Sequence, residues 1–409
     1  MDLLQIASTL IVLAALFGVL NYHFLKLPQA IGILVVALLA SLGILGFDTL
    51  FPALEIGDEV RKIVGEFEFS DALLEGMLGL LLFAGALHVS ISELRSQAGV
   101  VFLMATLGVV LSTAIVGFGF SWITGMPLLV ALVFGALVSP TDPVAVLGVL
   151  REANLRKSLE TKIAGESLFN DGVAYVVYLV LVAMAFPSIT DHASDVSDGA
   201  ILFVQEALGG AAMGAALGWG TFQMMKRIDD YALEVLITLA LAFGGYILSI
   251  YLHISAPIMA VVAGLFIGHV GMRDGMSEET RGYVDAFWKL IDEILNAILF
   301  VMIGFEIFVI TDDYLLQGIY AIALALFGRL AAVAIPNIML NGPGVIKGDI
   351  IPLMTWGGLK GGISIALALA LPDSEWKPMI LSVTYMVVIF SILIQGLSIA
   401  PMARMMARD

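Results

Sequence analysis

VSPTDPVAVLGVL occupies residues 138–150, the second half of an apolar run that begins at Pro127. Pro140 and Pro143 flank Thr141 and Asp142. A proline inside a helix deletes a backbone hydrogen bond and clashes with the preceding turn, so two of them three apart predict a break. A simple proline kink is the alternative. Within a lipid bilayer, unwound backbone is tolerated only where it is buried in protein or lines a cavity. The carbonyls freed near Val138 to Asp142, with the Thr141 hydroxyl, are hard oxygen ligands of the kind that replace the water shell of an alkali cation.

The rest of the chain places this break in a membrane. Of 409 residues, 60% are hydrophobic and 13% charged, and the mean hydropathy is +1.02. Apolar runs near the length of a bilayer crossing recur throughout, apolar all round rather than on one face, the pattern of a polytopic all-α membrane protein. Thirteen spans are predicted, at 3–21, 27–46, 71–91, 98–123, 127–150, 161–186, 200–225, 232–252, 256–270, 287–310, 314–339, 350–371 and 378–400. The second could run past Phe47. Residues 47–70 are acidic and mixed and are expected at the surface, and 187–199 form a polar loop with three aspartates. With no cysteine, disulfide and thiol chemistry are excluded. The net charge of −16 and the absence of any long basic run disfavour nucleic acid. The first residues lack a basic region and a cleavage site, so they read as the first span rather than a signal peptide.

Basic residues test the count. With thirteen spans, fourteen lysines and arginines fall in odd-numbered loops and the C-terminal segment, against three in even-numbered loops. An N-terminus outside and a C-terminus in the cytoplasm are therefore expected, in a multi-pass protein of the plasma (inner) membrane. No soluble C-terminal domain is expected.

The ionisable residues read as intramembrane are Asp142, Glu166, Asp171, Glu306, Arg329 and Lys360. Such groups are costly in hydrocarbon and mark functional sites. Glu93, Glu234, Asp292 and Glu293 stand nearer span ends, where they are expected to reach water. In GESLFNDGVAYVVYLV, residues 165–180, Glu166 and Asn170 are four apart and share a helix face, while Asp171 is rotated by about 100° toward another neighbour. Its depth makes Asp171 the candidate ion site; Glu166 reads as a structural ion pair or satisfied polar contact. A second break is predicted in WGGLKGGISIALAL, residues 356–369, where four glycines bracket Lys360. Breaks in the fifth and twelfth spans, seven apart and therefore antiparallel, point to a transporter built from inverted repeats. Where the two discontinuous helices cross, Asp142 is expected to offset positive half-helix ends and Lys360 negative ones.

Together SPTDPVAV at 139–146, GESLFNDG at 165–172 and GGLKGG at 357–362 resemble the monovalent cation–proton antiporters of family 1, the electroneutral sodium/proton exchangers. The resemblance covers the whole chain in span number and order. It implies the sodium/proton antiporter fold, with core helices about 71–186 and 287–400 and a scaffold or dimerisation part about 1–46 and 200–270. It implies that Asp171 carries the ion and that Asn170, in place of a second aspartate, goes with one-for-one exchange. It also implies that Glu166 pairs with Arg329. Two departures stand out: LLFAGALH has Ala84 where similar members carry an acid, and Lys360 stands where arginine is usual.

The function expected is exchange of a monovalent cation, Na⁺ first, for H⁺ in pH homeostasis, with Asp171 holding cation or proton in competition. The expected ligand set is Asp171, Thr141, Ser167, carbonyls from Val138 to Asp142, and water, with Asn170 holding the broken span. A K⁺/H⁺ antiporter and a cation channel are the alternatives. An aspartyl protease built on Asp142 and Asp171 is disfavoured, so a transporter rather than an enzyme is expected. No cofactor is implied beyond the transported ions. The expected partners are membrane lipids and a second copy of the chain, and no soluble partner is deducible. The glycine-rich stretch 209–220 allows close helix packing and suits a dimer or a scaffold interface equally.

Overall fold

The computed structural model describes residues 3–51, 76–142, 157–187, 196–309, 312–344 and 348–406. The expected surface segment beyond Phe51, Pro143 with the second half of its span, and most of the polar loop at 187–199 lie outside the described residues. The described chain forms thirteen helical elements in the expected order. They are α1 (Leu3–Leu20), α2 (Gln29–Leu50), α3 (Leu78–Leu87), α4 (Ile91–Leu103, continuing through Met104–Gly108 to Val109–Thr124) and α5 (Leu128–Leu137). Then come α6 (Lys157–Ala185), α7 (Val196–Met225), α8 (Tyr231–Tyr251), α9 (Ala256–Phe266, continuing through Ile267–Gly271 to Met272–Asp274), α10 (Glu278–Phe305) and α11 (Leu315–Asn341). The last are α12a (Ile350–Trp356), α12b (Gly362–Leu369) and α13 (Lys377–Phe390, continuing through Ser391–Gln395 to Gly396–Met406).

Local chemistry sets the ends. Asp230 caps α8 by accepting from the backbone N–H groups of Ala232 and Leu233 at 2.9 and 3.0 Å, and Ser255 and Ser277 cap α9 and α10. These side chains satisfy donors that a helix start leaves open. Gly125, at φ +72°, ends α4 in the left-handed conformation that glycine adopts without penalty. Among the described residues, nine helices are long and apolar enough to cross a bilayer. The other four fall short for separate reasons. The described part of α3 is short, α5 and α12 are interrupted, and α10 carries charged residues from Glu278 to Glu293. Trp122, Tyr251 and Phe24 stand well exposed, as suits rings at a membrane interface.

The helices pack in two groups. In one, α4, α5 and α6 pack with α11, α12b and α13 around Phe120, Phe134, Leu137 and Val383. In the other, α3, α8 and α9 surround Phe83, Met259 and Trp288, with α7 laid on α9 and α10 on α2. The third helix, placed with the core by the sequence division, thus packs most extensively on the ninth, and the tenth, placed there too, on the second. The glycines of α7 are used internally. A Cβ at Gly214 would stand 2.6 Å from the Met259 carbonyl oxygen, and one at Gly218 3.1 Å from Phe266. With Gly210, which meets Ser255, they form a stripe every four residues that brings α7 onto α9.

Candidate ion-binding site

The two breaks meet. Past Leu137 the backbone from Val138 to Asp142 leaves the helix, and α12a and α12b are separated by Gly357–Gly361. The Asp142 N–H donates to the Leu359 carbonyl at 2.8 Å, tying one break to the other. Gly361 approaches so closely that a Cβ there would lie 2.5 Å from the Asp142 Cβ and Oδ2. Glycine is required by space at that point. Asp142 thereby stands at the N-terminus of α12b, where exposed N–H dipoles favour an anion. Lys360 donates from Nζ to the carbonyls of Ser139 at 3.0 Å and Pro140 at 3.2 Å, just past the end of α5. Its own N–H donates to Ser391 Oγ of α13 at 2.8 Å. A cation is thus held against carbonyls at the negative end of a half-helix.

The second negative end is met by a different cation. Arg329 of α11 donates from Nε and Nη2 to the Met354 carbonyl near the end of α12a, at 3.2 and 3.0 Å. The remainder of the guanidinium grips Glu166 of α6 at both carboxylate oxygens, one of them through Nη2 at 2.8 Å. Both side chains are buried, 5% and 1% exposed, so water does not screen this pair. Gly358 leaves room for the guanidinium; a Cβ there would collide with it.

On α6 the neighbouring turn faces the first break. Asn170 donates from Nδ2 to Thr141 Oγ1 at 2.8 Å and accepts from the Thr141 N–H at 3.4 Å. Thr141 Oγ1 and Ser167 Oγ share a hydrogen bond at 3.0 Å. Asp171 is the central residue of the 29-residue α6, buried to 6% exposure. Among the described residues, no hydrogen-bond partner reaches its Oδ1.

Asp171 lines a cavity of about 520 Å³ together with Pro140, Thr141, Asp142, Ser364 of α12b and Asp292 and Asn296 of α10. The cavity runs to a rim that includes His88, Ser90, Glu93, Glu160 and the exposed Lys289 and Glu293. Its walls carry six carboxylates and one lysine, which makes it a trap for cations. Of the residues selected from sequence, the structure gathers Thr141, Asp142, Ser167, Asn170, Asp171 and Lys360 around the crossing. Asp171, Thr141 and Asp142 are on the cavity wall, whereas Ser167 and Asn170 stand behind it. Val138 is buried at the end of α5, off the wall. Asp292 was read only as a water-reaching residue near a span end and Asn296 was not singled out, although a polar pair four apart in an apolar span was a usable signal. Ser364 stands two residues past the last glycine of the second break. Glu234, expected to reach water, is fully buried, because the first turns of α8 and α10 pack together there beside Thr280. Glu306 is buried at the end of α10 and is not on the cavity wall.

Helices interrupted at matching places, crossing beside a buried and unpartnered carboxylate that looks into a cation-attracting cavity, define a secondary transporter of the inverted-repeat type. The chain belongs to the sodium/hydrogen exchanger family, whose transmembrane region it matches over residues 11–405. It is 46% identical to the Na(+)/H(+) antiporter NhaP of Pseudomonas aeruginosa, over 98% of this chain and 96% of that one. It is 34% identical to the Na(+)/H(+) antiporter NhaH of Halobacillus aidingensis, again over 98% and 96%. The sodium proton antiporter MjNhaP1 from Methanocaldococcus jannaschii has the same fold, with a TM-score of 0.76 at 19% identity and full coverage of both chains.

Proposed function

We propose that this protein exchanges Na⁺ for H⁺ across the membrane, one for one, by alternating access around Asp171. The observation that carries this reading is the state of the Asp171 carboxylate. It is buried at the middle of α6 on the cavity wall with Oδ1 unpartnered. The two intramembrane cations nearest in the fold are engaged elsewhere, Arg329 with Glu166 and Met354, and Lys360 with Ser139 and Pro140. A carboxylate that no fixed cation hydrogen-bonds can take a proton or an alkali ion, and one group that holds either but not both couples the two flows. Thr141 and the first-break backbone on the cavity wall, at Pro140 and Thr141, supply further oxygens for the cation, while Ser167 acts from behind through its hydrogen bond to Thr141 and Val138, off the wall, is left out of the set. Asn170 holds the break in place through Thr141. Asp142 and Lys360 compensate opposite half-helix ends, and Arg329 shares the second task.

The group formed by α4–α6 and α11–α13 moves as the transporting core. The remaining helices, α3 and α10 included, form the scaffold and the surface for a second copy of the chain. Glu93, Glu160 and Lys289 at the rim lie in or border odd-numbered loops, the basic set in the sequence, so by the positive-inside rule we read the rim as cytoplasmic and this conformation as open inward. The N-terminus is then outside and the C-terminus inside, in the plasma (inner) membrane.

Reconstituted protein in vesicles with an imposed pH gradient tests the reading across Na⁺, Li⁺ and K⁺, with and without a membrane potential. Na⁺ uptake in exchange for protons, indifferent to the potential, is expected, and Asp171→Asn abolishes it while the protein stays monodisperse. In the range where the proton-bound form dominates, the apparent KM for Na⁺ rises about tenfold per unit fall in pH, because both ions compete for one carboxylate. Exchange retained in Asp171→Asn, or a conductance indifferent to the proton gradient, overturns the proposal.

A further inference from the structure

The cavity has two walls that belong to different helix groups. Asp171, Thr141, Asp142 and Ser364 form one, on α6 and the two breaks, and α10 forms the other with Asp292, Glu293 and Asn296. Asp292 is half-buried and Asn296 is 4% exposed. Asn296 donates from Nδ2 to the Asp292 backbone carbonyl at 2.8 Å and to Asp292 Oδ1 at 3.0 Å. Asparagine is a poor residue for a helix interior because it competes for backbone groups, and here that tendency is turned to fixing a carboxylate one turn back. Lys289, the lysine on the same wall, is matched by Asp285 at 2.6 Å. Across the cavity, Asp171 presents its buried, unpartnered Oδ1.

We propose that Asp292, oriented by Asn296, is a staging ligand for a partly hydrated alkali cation on its way between the cavity rim and Asp171. This rests on the exchange reading and adds a specific residue to it. The cation crosses the cavity by passing from a carboxylate on the scaffold wall to one on the core wall. When the two helix groups shift, the walls part and Asp292 no longer faces the core site. Its contribution is therefore one-sided, made to cations arriving through this cavity and not to those arriving from the opposite face. A cluster of acids acting only as a diffuse attractor has no need of Asn296 and is abolished by screening.

The test is Na⁺/H⁺ exchange in membrane vesicles of each orientation, wild type against Asp292→Asn and Asn296→Ala, with KM for Na⁺ measured from each face. For Asp292→Asn we expect the cavity-side KM to rise about fivefold with the maximal rate nearly kept, the signature of lost ground-state binding of one water-screened charge contact. The KM from the opposite face stays unchanged. The rise persists when choline chloride is added to screen long-range attraction. Asn296→Ala keeps every charge, and it raises the cavity-side KM in the same direction by less. If Asp292→Asn does not fold, Asn296→Ala decides. The inference is overturned if the cavity-side KM is unmoved, if both faces change equally, or if choline chloride erases the difference. A wild type that exchanges no Na⁺ sinks the exchange reading itself, a result distinct from all of these.

Discussion

The buried pair of Glu166 and Arg329 offers a quantitative test of how the broken helices are held. Removing Arg329 as Arg329→Met strands a carboxylate that is 1% exposed and strips the Met354 carbonyl of two donors. Breaking such a pair from one side costs about 3–5 kcal/mol, because an uncompensated charge is left out of water. Glu166→Leu leaves the guanidinium in the same position and costs a similar amount. Replacing both at once removes the two charges together and is close to neutral for the pair, leaving a loss of about 1–3 kcal/mol at the unsatisfied Met354 carbonyl. The double variant should therefore be no less stable than either single one, with a coupling of about 3 kcal/mol or more in the cycle. Equilibrium unfolding in SDS, followed by circular dichroism, measures all four proteins. Transport supplies a second readout. Asp171 makes no contact with the pair, so the double variant should regain part of the exchange that each single variant loses. Additivity of the two single losses within about 0.5 kcal/mol would show that the pair is incidental and that α12a is held by other contacts.

Two further outcomes follow from the same geometry. Lys360→Ala removes the ammonium from the Ser139 and Pro140 carbonyls and should cost about 1.5–3 kcal/mol in the same unfolding assay, with Lys360→Arg recovering most of it; equal losses in both would refute the half-helix role. Gly214→Val places branched carbons against the Met259 carbonyl and should lower stability by about 1–3 kcal/mol, whereas Gly220→Ala, with open space around its Cβ, should be neutral or stabilising by up to about 1 kcal/mol; a heat-challenge size-exclusion profile of both distinguishes internal packing of α7 from a lipid-facing stripe.

Much of this site was legible because membrane solvation makes few residue choices ambiguous. Charged residues in apolar runs stand out against their surroundings, so Asp171, Asp142 and Lys360 could be picked from composition alone. Prolines at 140 and 143 and the glycines around Lys360 announced both breaks. The partner of Glu166 came only through resemblance, since Glu166 and Arg329 lie 163 positions apart and nothing local links them. Asp292 was read only as a residue near a span end that reaches water, and its place opposite Asp171 on one cavity was not legible. Helix α10 is polar along much of its length, and periodicity cannot say which of its faces meets a cavity.

Residue order by itself determined the thirteen helices, the two interruptions and the identity of the acid at the centre of α6, because hydrophobicity, proline and glycine act over a few neighbouring positions. Only the tertiary structure decided which carbonyls Lys360 and Arg329 meet, that the glycines of α7 serve α9, and that Asp292 shares a cavity with Asp171. Those outcomes depend on which helix faces come together, and that is set by burial and charge pairing across the whole bundle at once.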